Sequence, residues 1–380
     1  MNPQKERLFS VFFFAMLVVC IVIAPAAYAQ HQRASMSGSI STISSTIPPN
    51  GDVNPYGVFR ITRSIGKLTR GNILVSNFNN SSNLQGTGTT IVQISPTGEF
   101  SVFAQIDAST LPGPCPGGIG LTTALVVLRS GWVIVGSLPT TDGTSATAQA
   151  GCLLVLDSNG NVVETIANSL INGPWDMTVF DRTGNREMPS RAVLFVNNVL
   201  NGTVAAGGSI VNQGTTLRIV LAVPPAGMPS VSSMTIIGSG FSERTDPAAL
   251  VIGPTGLALS KNNKVLYVAD SLNNRIAAIS DPLTRAFSAG TGSTVSSGGA
   301  LNDPLGMTLA VNGNILTVNG NDGNLVETTP RGDQISVTTL DDTSVPGSLP
   351  GAGTLFGLTD VPALGVVFVD DGSNTLNVFR

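Results

Sequence analysis

The chain has 380 residues, of which 42% are apolar and 11% charged, with a formal net charge of −4 and a single histidine. Only four of its 19 basic residues are lysines, too few to build the basic stripe that binds nucleic-acid phosphates or an anionic membrane surface. The apolar content excludes a disordered chain, and one imidazole excludes three-histidine metal cages and histidine-rich active sites.

Residues 1–29 read as a signal peptide. Lys5 and Arg7 precede an almost wholly apolar run over 8–25, and Ala27-Tyr28-Ala29 forms a small-x-small triplet, so cleavage is expected after Ala29. The run is also long enough to span a bilayer, which leaves retention as an N-terminal anchor open. A lipoprotein is disfavoured, because Val19 precedes Cys20 where a lipobox needs Gly or Ala. The expected product is secreted or periplasmic, free of the membrane after cleavage, and monomeric. It keeps Cys115 and Cys152, which in an exported chain point to one disulfide across 36 intervening residues; two buried thiols are the alternative.

Residues 30–50 form a short N-terminal segment, and 51–380 repeat one pattern. The clearest copy runs Gly253-Pro254-Thr255-Gly256-Leu257-Ala258-Leu259-Ser260, a polar turn, Val265-Leu266-Tyr267-Val268-Ala269-Asp270, and Ser271-Leu272-Asn273-Asn274-Arg275-Ile276. It begins with a Pro/Gly lead-in, continues through a short apolar strand and a turn into a β-branched strand, and ends with an Asp/Asn-rich loop before a third strand. Related lead-ins are Pro55-Tyr56-Gly57, Gly118-Ile119-Gly120, Pro174-Trp175-Asp176, Pro304-Leu305-Gly306 and Phe356-Gly357. Second strands follow at 73–77, 133–137, 193–198, 265–270, 315–319 and 366–371. Third strands at 90–94 and 153–156 precede Pro96-Thr97-Gly98 and Asp157-Ser158-Asn159-Gly160, both hairpin-turn sequences.

The lead-in positions 57, 120, 176, 256, 306 and 357 are separated by 63, 56, 80, 50 and 51 residues. A four-stranded blade needs about 40–50, so the first three intervals predict longer loops. No sustained helical periodicity appears. The fold class is therefore all-β, a six-bladed β-propeller. Only three strands fit after residue 350, so the last blade should be closed by an N-terminal strand within 36–47.

Over 253–276 the sequence resembles NHL-repeat β-propellers, through the Pro-x-Gly-Leu-Ala-Leu-Ser lead-in, the Leu-Tyr-Val-Ala-Asp strand and Asn-Asn-Arg-Ile. The resemblance is weaker over 303–326 and weaker again in the first three blades. That family includes scaffold and binding propellers, amidating lyases and, more distantly, calcium-dependent lactonases, so the resemblance implies a fold and leaves function open. The lyases need several channel histidines, which this chain lacks. The lactonases hold a divalent cation with Glu, Asn, Asn and Asp. Here Asn198, Asp270 and Asp371 are available as ligands for Ca²⁺, while the first lead-in, Asn54-Pro55-Tyr56-Gly57, carries no Glu.

In a propeller the lead-in turns and second-strand ends share one face. That face should gather Asn77, Ser137, Asn197 or Asn198, Asp270, Asn319 or Asn321, and Asp370 or Asp371, with Trp175 and with Asp176, which stands where other blades have Gly. Such Asp and Asn side chains can cap their own loops, form a binding rim, or offer oxygens to a cation. Trp175 can pack or stack on a ligand. The charged stretch 181–187 should be a solvated turn on the opposite face, with a calcium loop as the alternative. Two functions follow: a ligand- or protein-binding module whose partner is a small molecule, glycan or protein, contacted through Trp175, Asp176, Asn77, Asn198, Asp270 and Asp371; or a metal-assisted hydrolase using the same face.

Overall fold

The computed structural model describes residues 38–183, 190–344 and 346–380. The expected signal peptide, His31 and most of the charged stretch at 181–187 lie outside the described residues. Strand β1 (Ile40–Ser45) is followed by a sheet of β2 (Val53–Arg60), β3 (Ile73–Asn79), β4 (Thr90–Ile94) and β5 (Phe100–Gln105). The second sheet holds β6 (Leu121–Val127), β7 (Val133–Ser137), β8 (Cys152–Leu156) and β9 (Val162–Ile166). The third holds β10 (Pro174–Asp181), β11 (Arg191–Asn198), β12 (Val211–Ala222), β13 (Ser230–Asp246) and β14 (Leu250–Ile252). The fourth comprises β15 (Pro254–Leu259), β16 (Val265–Asp270), β17 (Arg275–Ser280) and β18 (Ser293–Ser297), and the fifth β19 (Pro304–Leu309), β20 (Ile315–Asn319), β21 (Asn324–Thr328) and β22 (Gln334–Thr339). Strands β23 (Leu355–Val361), β24 (Gly365–Asp370) and β25 (Thr375–Phe379) form the sixth with β1 on its outer edge. All pairings are antiparallel, and among the described residues the helices are three single 3₁₀ turns.

The innermost strands β2, β6, β10, β15, β19 and β23 each touch the next, and β23 touches β2, so six blades close a ring. The ring is sealed non-covalently. β1 pairs with β25 from Ile40 opposite Phe379 to Ser45 opposite Thr375, and Thr42 Oγ1 donates to Asn377 Oδ1 at 2.8 Å.

The six lead-ins share one register. Pro55 lies opposite Asn77, Leu121 opposite Ser137, Pro174 opposite Asn198, Pro254 opposite Asp270, Pro304 opposite Asn319 and Leu355 opposite Asp370. In every blade the pairing shifts immediately afterwards, as at a β-bulge. The second-blade lead-in is thus Leu121-Thr122-Thr123, three residues beyond the Gly118-Ile119-Gly120 read from sequence. Two residues after each lead residue the inner strands come close. A Cβ on Gly306 would lie 2.0 Å from the Phe356 carbonyl oxygen, and one on Gly357 would lie 2.1 Å from that of Tyr56. Gly57 and Gly256 hold the same place, and Thr123 and Asp176 are the two departures.

The long third interval is not a loop. It is absorbed by β12 with 12 residues and β13 with 17, which extend the third blade. Between the second and third blades Ala124, Ile134 and Leu153 pack against Leu194, Leu217 and Ile219, all essentially fully buried. Each of these Leu and Ile side chains contributes about 2 kcal/mol of transfer free energy. Cys115 and Cys152 are bonded, with Cα atoms 5.1 Å apart, pinning the connector before β6 to the start of β8.

Candidate functional site

The polar residues opposite the lead-ins are used by the frame. Asn77 Nδ2 donates to the Thr46 carbonyl (3.1 Å). Ser137 Oγ accepts from the Gly120 amide and donates to the Gly118 carbonyl, both at 3.0 Å. Asn198 Oδ1 accepts from the Asn172 amide (3.0 Å) while its Nδ2 reaches the Leu170 carbonyl, and Asn319 holds Asn302 and Ala300 in the same way. Each of these four grips the connector that enters its own blade. Asp270 instead takes Arg275 in an ion pair at 2.7 Å and the Asn273 side chain at 2.9 Å. Asp370 accepts from the Ser373 amide.

Of the six residues expected at one site, the structure brings Trp175 and Asp371 to a single cavity. It lies at the lead-in end of the ring, with a volume of about 470 Å³. Its apolar floor is Tyr56, Trp175, Leu305 and Phe356, each the residue directly after a lead residue. Tyr56 stacks on Phe356 with centroids 4.0 Å apart and on Phe78 at 4.6 Å, while Trp175 meets Tyr56 edge-on at 5.7 Å. Trp175 is only 3% exposed, its backbone carbonyl accepting from the Thr123 hydroxyl, so it is both a packing residue and part of the cavity floor.

Four charged side chains line this mouth: Arg244, Asp246, Asp303 and Asp371. Arg244 and Asp246 pair at 2.7 Å. Burial raises Asp246, but the Ala248 and Ala249 amides and Arg244 outweigh it and hold the carboxyl below its usual range. Asp303 is pushed up to about 6 by burial, with Arg244 opposing and Asp246 adding. Asp371 is pushed up to about 7, chiefly by burial and then by Asp370. Burial, followed by Asp371, raises the Tyr56 hydroxyl well above its ordinary value.

Asp176 does not join this mouth. It lines a second cavity of about 340 Å³ that runs along the inner strands, together with Thr123, Met177, Leu257, Met307 and Leu358. The pairing shift between Pro174 and Asp176 falls at this point, and the neighbours Trp175 and Asp176 line different cavities. Asp176 Oδ2 accepts from the Leu257 amide (2.8 Å), tying the third blade to the fourth. Burial pushes its carboxyl up to about 7, with the Met177 and Leu257 amides pulling it back.

The residues not anticipated are Tyr56, Arg244, Asp246, Asp303 and Phe356. Tyr56 and Phe356 occupy the same lead-in position as Trp175, and Asp303 precedes Pro304, so those three carried a signal. Arg244 and Asp246 arrive from the extended β13, which has no counterpart in the other blades.

For a resident divalent cation the donors are poorly placed. Asn198 and Asp270 are engaged as described, and only Asp371 of the expected three lines the mouth. Among the described residues no group of three or more His, Cys, Asp or Glu side chains is arranged to hold a metal ion. Asn198, Asp270 and Asp371 as they stand are not a Ca²⁺ donor set, and no step is derived through one.

No protein-family model matches the chain, and no curated protein matches it. Solved structures do. The calcium-binding protein regucalcin from Agrobacterium tumefaciens superposes with a TM-score of 0.54 at 12% identity, covering 89% of this chain and 95% of that one. A gluconolactonase from Xanthomonas campestris gives 0.52 at 13%, covering 90% and 89%. A putative glucose dehydrogenase from Thermus thermophilus gives 0.53 at 11%, covering 90% and 100%. At these identities the likeness speaks to architecture alone: the chain is a six-bladed β-propeller with the ring of the regucalcin and gluconolactonase structures.

Proposed function

We propose that the protein is an exported binding propeller that takes a small molecule in the mouth cavity between Trp175 and Asp371. The observation that carries this reading is the composition of that cavity. Three aromatic rings and Leu305 form its floor, and a few charged groups stand at its wall. An apolar enclosure of several hundred Å³ with a few convergent polar groups is the usual form of a ligand site. The Cys115–Cys152 bond accords with an oxidising compartment, and hence with cleavage after Ala29 and a secreted or periplasmic location. Asn198 and Asp270, two of the three ligands that a metal-assisted hydrolase would use here, are held by the frame, which favours binding over turnover.

The test is a thermal-shift screen of the full chain against a mixed small-molecule library, repeated on Ala352→Trp, which places an indole in the mouth. Compounds that stabilise the wild type and lose that effect in the variant support the reading. An absence of stabilising compounds, or stabilisation indifferent to Ala352→Trp, refutes it.

A further inference from the structure

Resting on that reading, we infer that the mouth recognises an organic cation, drawn by the unpaired carboxyls of Asp303 and Asp371 on its wall, with the apolar body over Tyr56, Trp175 and Phe356. The charge balance of the wall is the first reason. Arg244 and Asp246 neutralise each other, and Asp246 is further satisfied by the Ala248 and Ala249 amides at 2.8 and 3.1 Å. Asp303 and Asp371 have no ion-pair partner among the described residues. The mouth therefore carries two carboxyl groups beyond its one ion pair, with Arg244 acting on Asp303 only at a distance.

The second reason is an unfilled acceptor. Asp303 is 7% exposed and lines the cavity, and its Oδ1, shielded from water, accepts no hydrogen bond among the described residues, so a rotation of the carboxyl that brings this oxygen to a ligand breaks no bond at that atom. A buried acceptor left without a donor costs about 1–3 kcal/mol, and an ammonium N–H meeting it is the strong, charge-assisted kind of hydrogen bond. An anionic ligand would add a third negative group to the wall. A bare divalent ion wants six to eight oxygens, which a pair of carboxyls does not supply, and it would leave most of about 470 Å³ unused.

The floor supplies the third reason. Cations are attracted to aromatic faces within about 6 Å of the ring centre. The stacked Tyr56–Phe356 pair beside Trp175 offers such surface, and the same rings receive an apolar body. Carboxyls on the wall and aromatics on the floor select a ligand that is positive at one end and apolar at the other.

The experiment is calorimetric titration of the full chain at pH 8 with 2-phenylethylammonium, the neutral 2-phenylethanol, the anionic 3-phenylpropanoate, and Ca²⁺ alone. The ammonium should bind about tenfold or more tighter than the alcohol, the value of one charge-assisted hydrogen bond, and the propanoate should be weakest. Asp303→Asn and Asp371→Asn should each reduce that preference several-fold, weakening the ammonium far more than the alcohol. Equal binding of alcohol and ammonium overturns the inference. So does tighter binding of propanoate, a preference unmoved by either substitution, or displacement of the ammonium by Ca²⁺. The wild-type comparison of the three charges needs no variant to fold. If the neutral or anionic probe binds better and Ala352→Trp blocks it, the mouth is still a binding site and only the cation is lost. If no probe and no library compound binds, the proposed function falls as well.

Discussion

Asp176→Asn removes the carboxyl that stands where four other blades of the inner ring have glycine. In the native protein burial moves this carboxyl from 3.8 to about 7. At 1.36 kcal/mol per pH unit that displacement corresponds to about 4 kcal/mol. Because the folded value is the higher one, the folded state binds the proton more tightly than the unfolded chain. Stability is therefore full below pH 4 and is lost as pH rises through about 7, where the fold must hold a half-buried, poorly solvated carboxylate in the channel wall. Asparagine keeps a carbonyl oxygen in place for the Leu257 amide and cannot ionise. Wild type and variant should be close in stability at pH 4, and by pH 8 the variant should be the more stable by about 2–4 kcal/mol, the lower figure allowing for water in the channel. Asp303, Asp371 and Glu243 are raised in the same direction, so both proteins should weaken with pH, and the difference between the curves belongs to Asp176. Urea denaturation at pH 4, 6 and 8 reads it directly. Parallel curves for the two proteins would refute the argument.

Three further outcomes follow from the frame. Replacing Cys115 and Cys152 with Ser opens a cross-link of sequence separation 37; chain-entropy reasoning puts the loss at about 4 kcal/mol, read as a lower urea midpoint that reductant does not shift further. Gly306→Ala drives a methyl to 2.0 Å from the Phe356 carbonyl oxygen, and should cost about 3 kcal/mol in the same assay, whereas Gly347→Ala, with no neighbour within 4 Å though at a φ of +80°, should cost clearly less. A chain beginning at Thr46 lacks β1 and exposes the edge of β25. Its melting temperature should fall, and light scattering should show the self-association typical of an unprotected edge strand; an unchanged melt would show that the closing strand adds nothing.

How much of this was legible depends on what each position answers to. Strands such as Val133–Ser137 and Val265–Asp270 could be located from sequence because they are largely buried on both faces and read as short apolar runs between turn residues. The blade count could be read because the lead-in is a local motif that recurs. The second-blade lead-in slipped by three residues because Leu121-Thr122-Thr123 has neither Pro nor Gly, and only the register against Ser137 places it. The candidate site was harder. Polarity at Asn77, Asn198 and Asp270 looked like a binding rim, but a polar side chain beside a backbone connector is as valuable to the frame as to a ligand, and sequence does not distinguish the two. Arg244 and Asp246 could not be found at all, since they belong to a β13 extended well beyond the common blade.

The two cavities trace back to one ring read at adjacent positions. In four blades the residue after the lead residue lines the mouth, and in four the next one, Thr123, Asp176, Gly306 or Gly357, lines the channel. Symmetry alone asks for a small residue at the second of these, where neighbouring inner strands touch, and four blades comply with Gly57, Gly256, Gly306 and Gly357. At the first position the fold makes no such demand, and the six blades differ: Tyr56, Trp175, Leu305 and Phe356 build the floor. Thr122 and Thr255 instead turn their hydroxyls to the carbonyls of Pro174 and Gly253. The apolar floor is therefore drawn from blades one, three, five and six, while blade five also contributes Asp303 and blade six Asp371. An amphipathic ligand suits such an uneven ring, because a six-fold repeat of identical side chains would present the same chemistry in every direction and could not orient it. The asymmetry of the mouth lies where the architecture leaves the residue free to vary, and Asp176 marks the one blade where a carboxyl has replaced the glycine the architecture prefers.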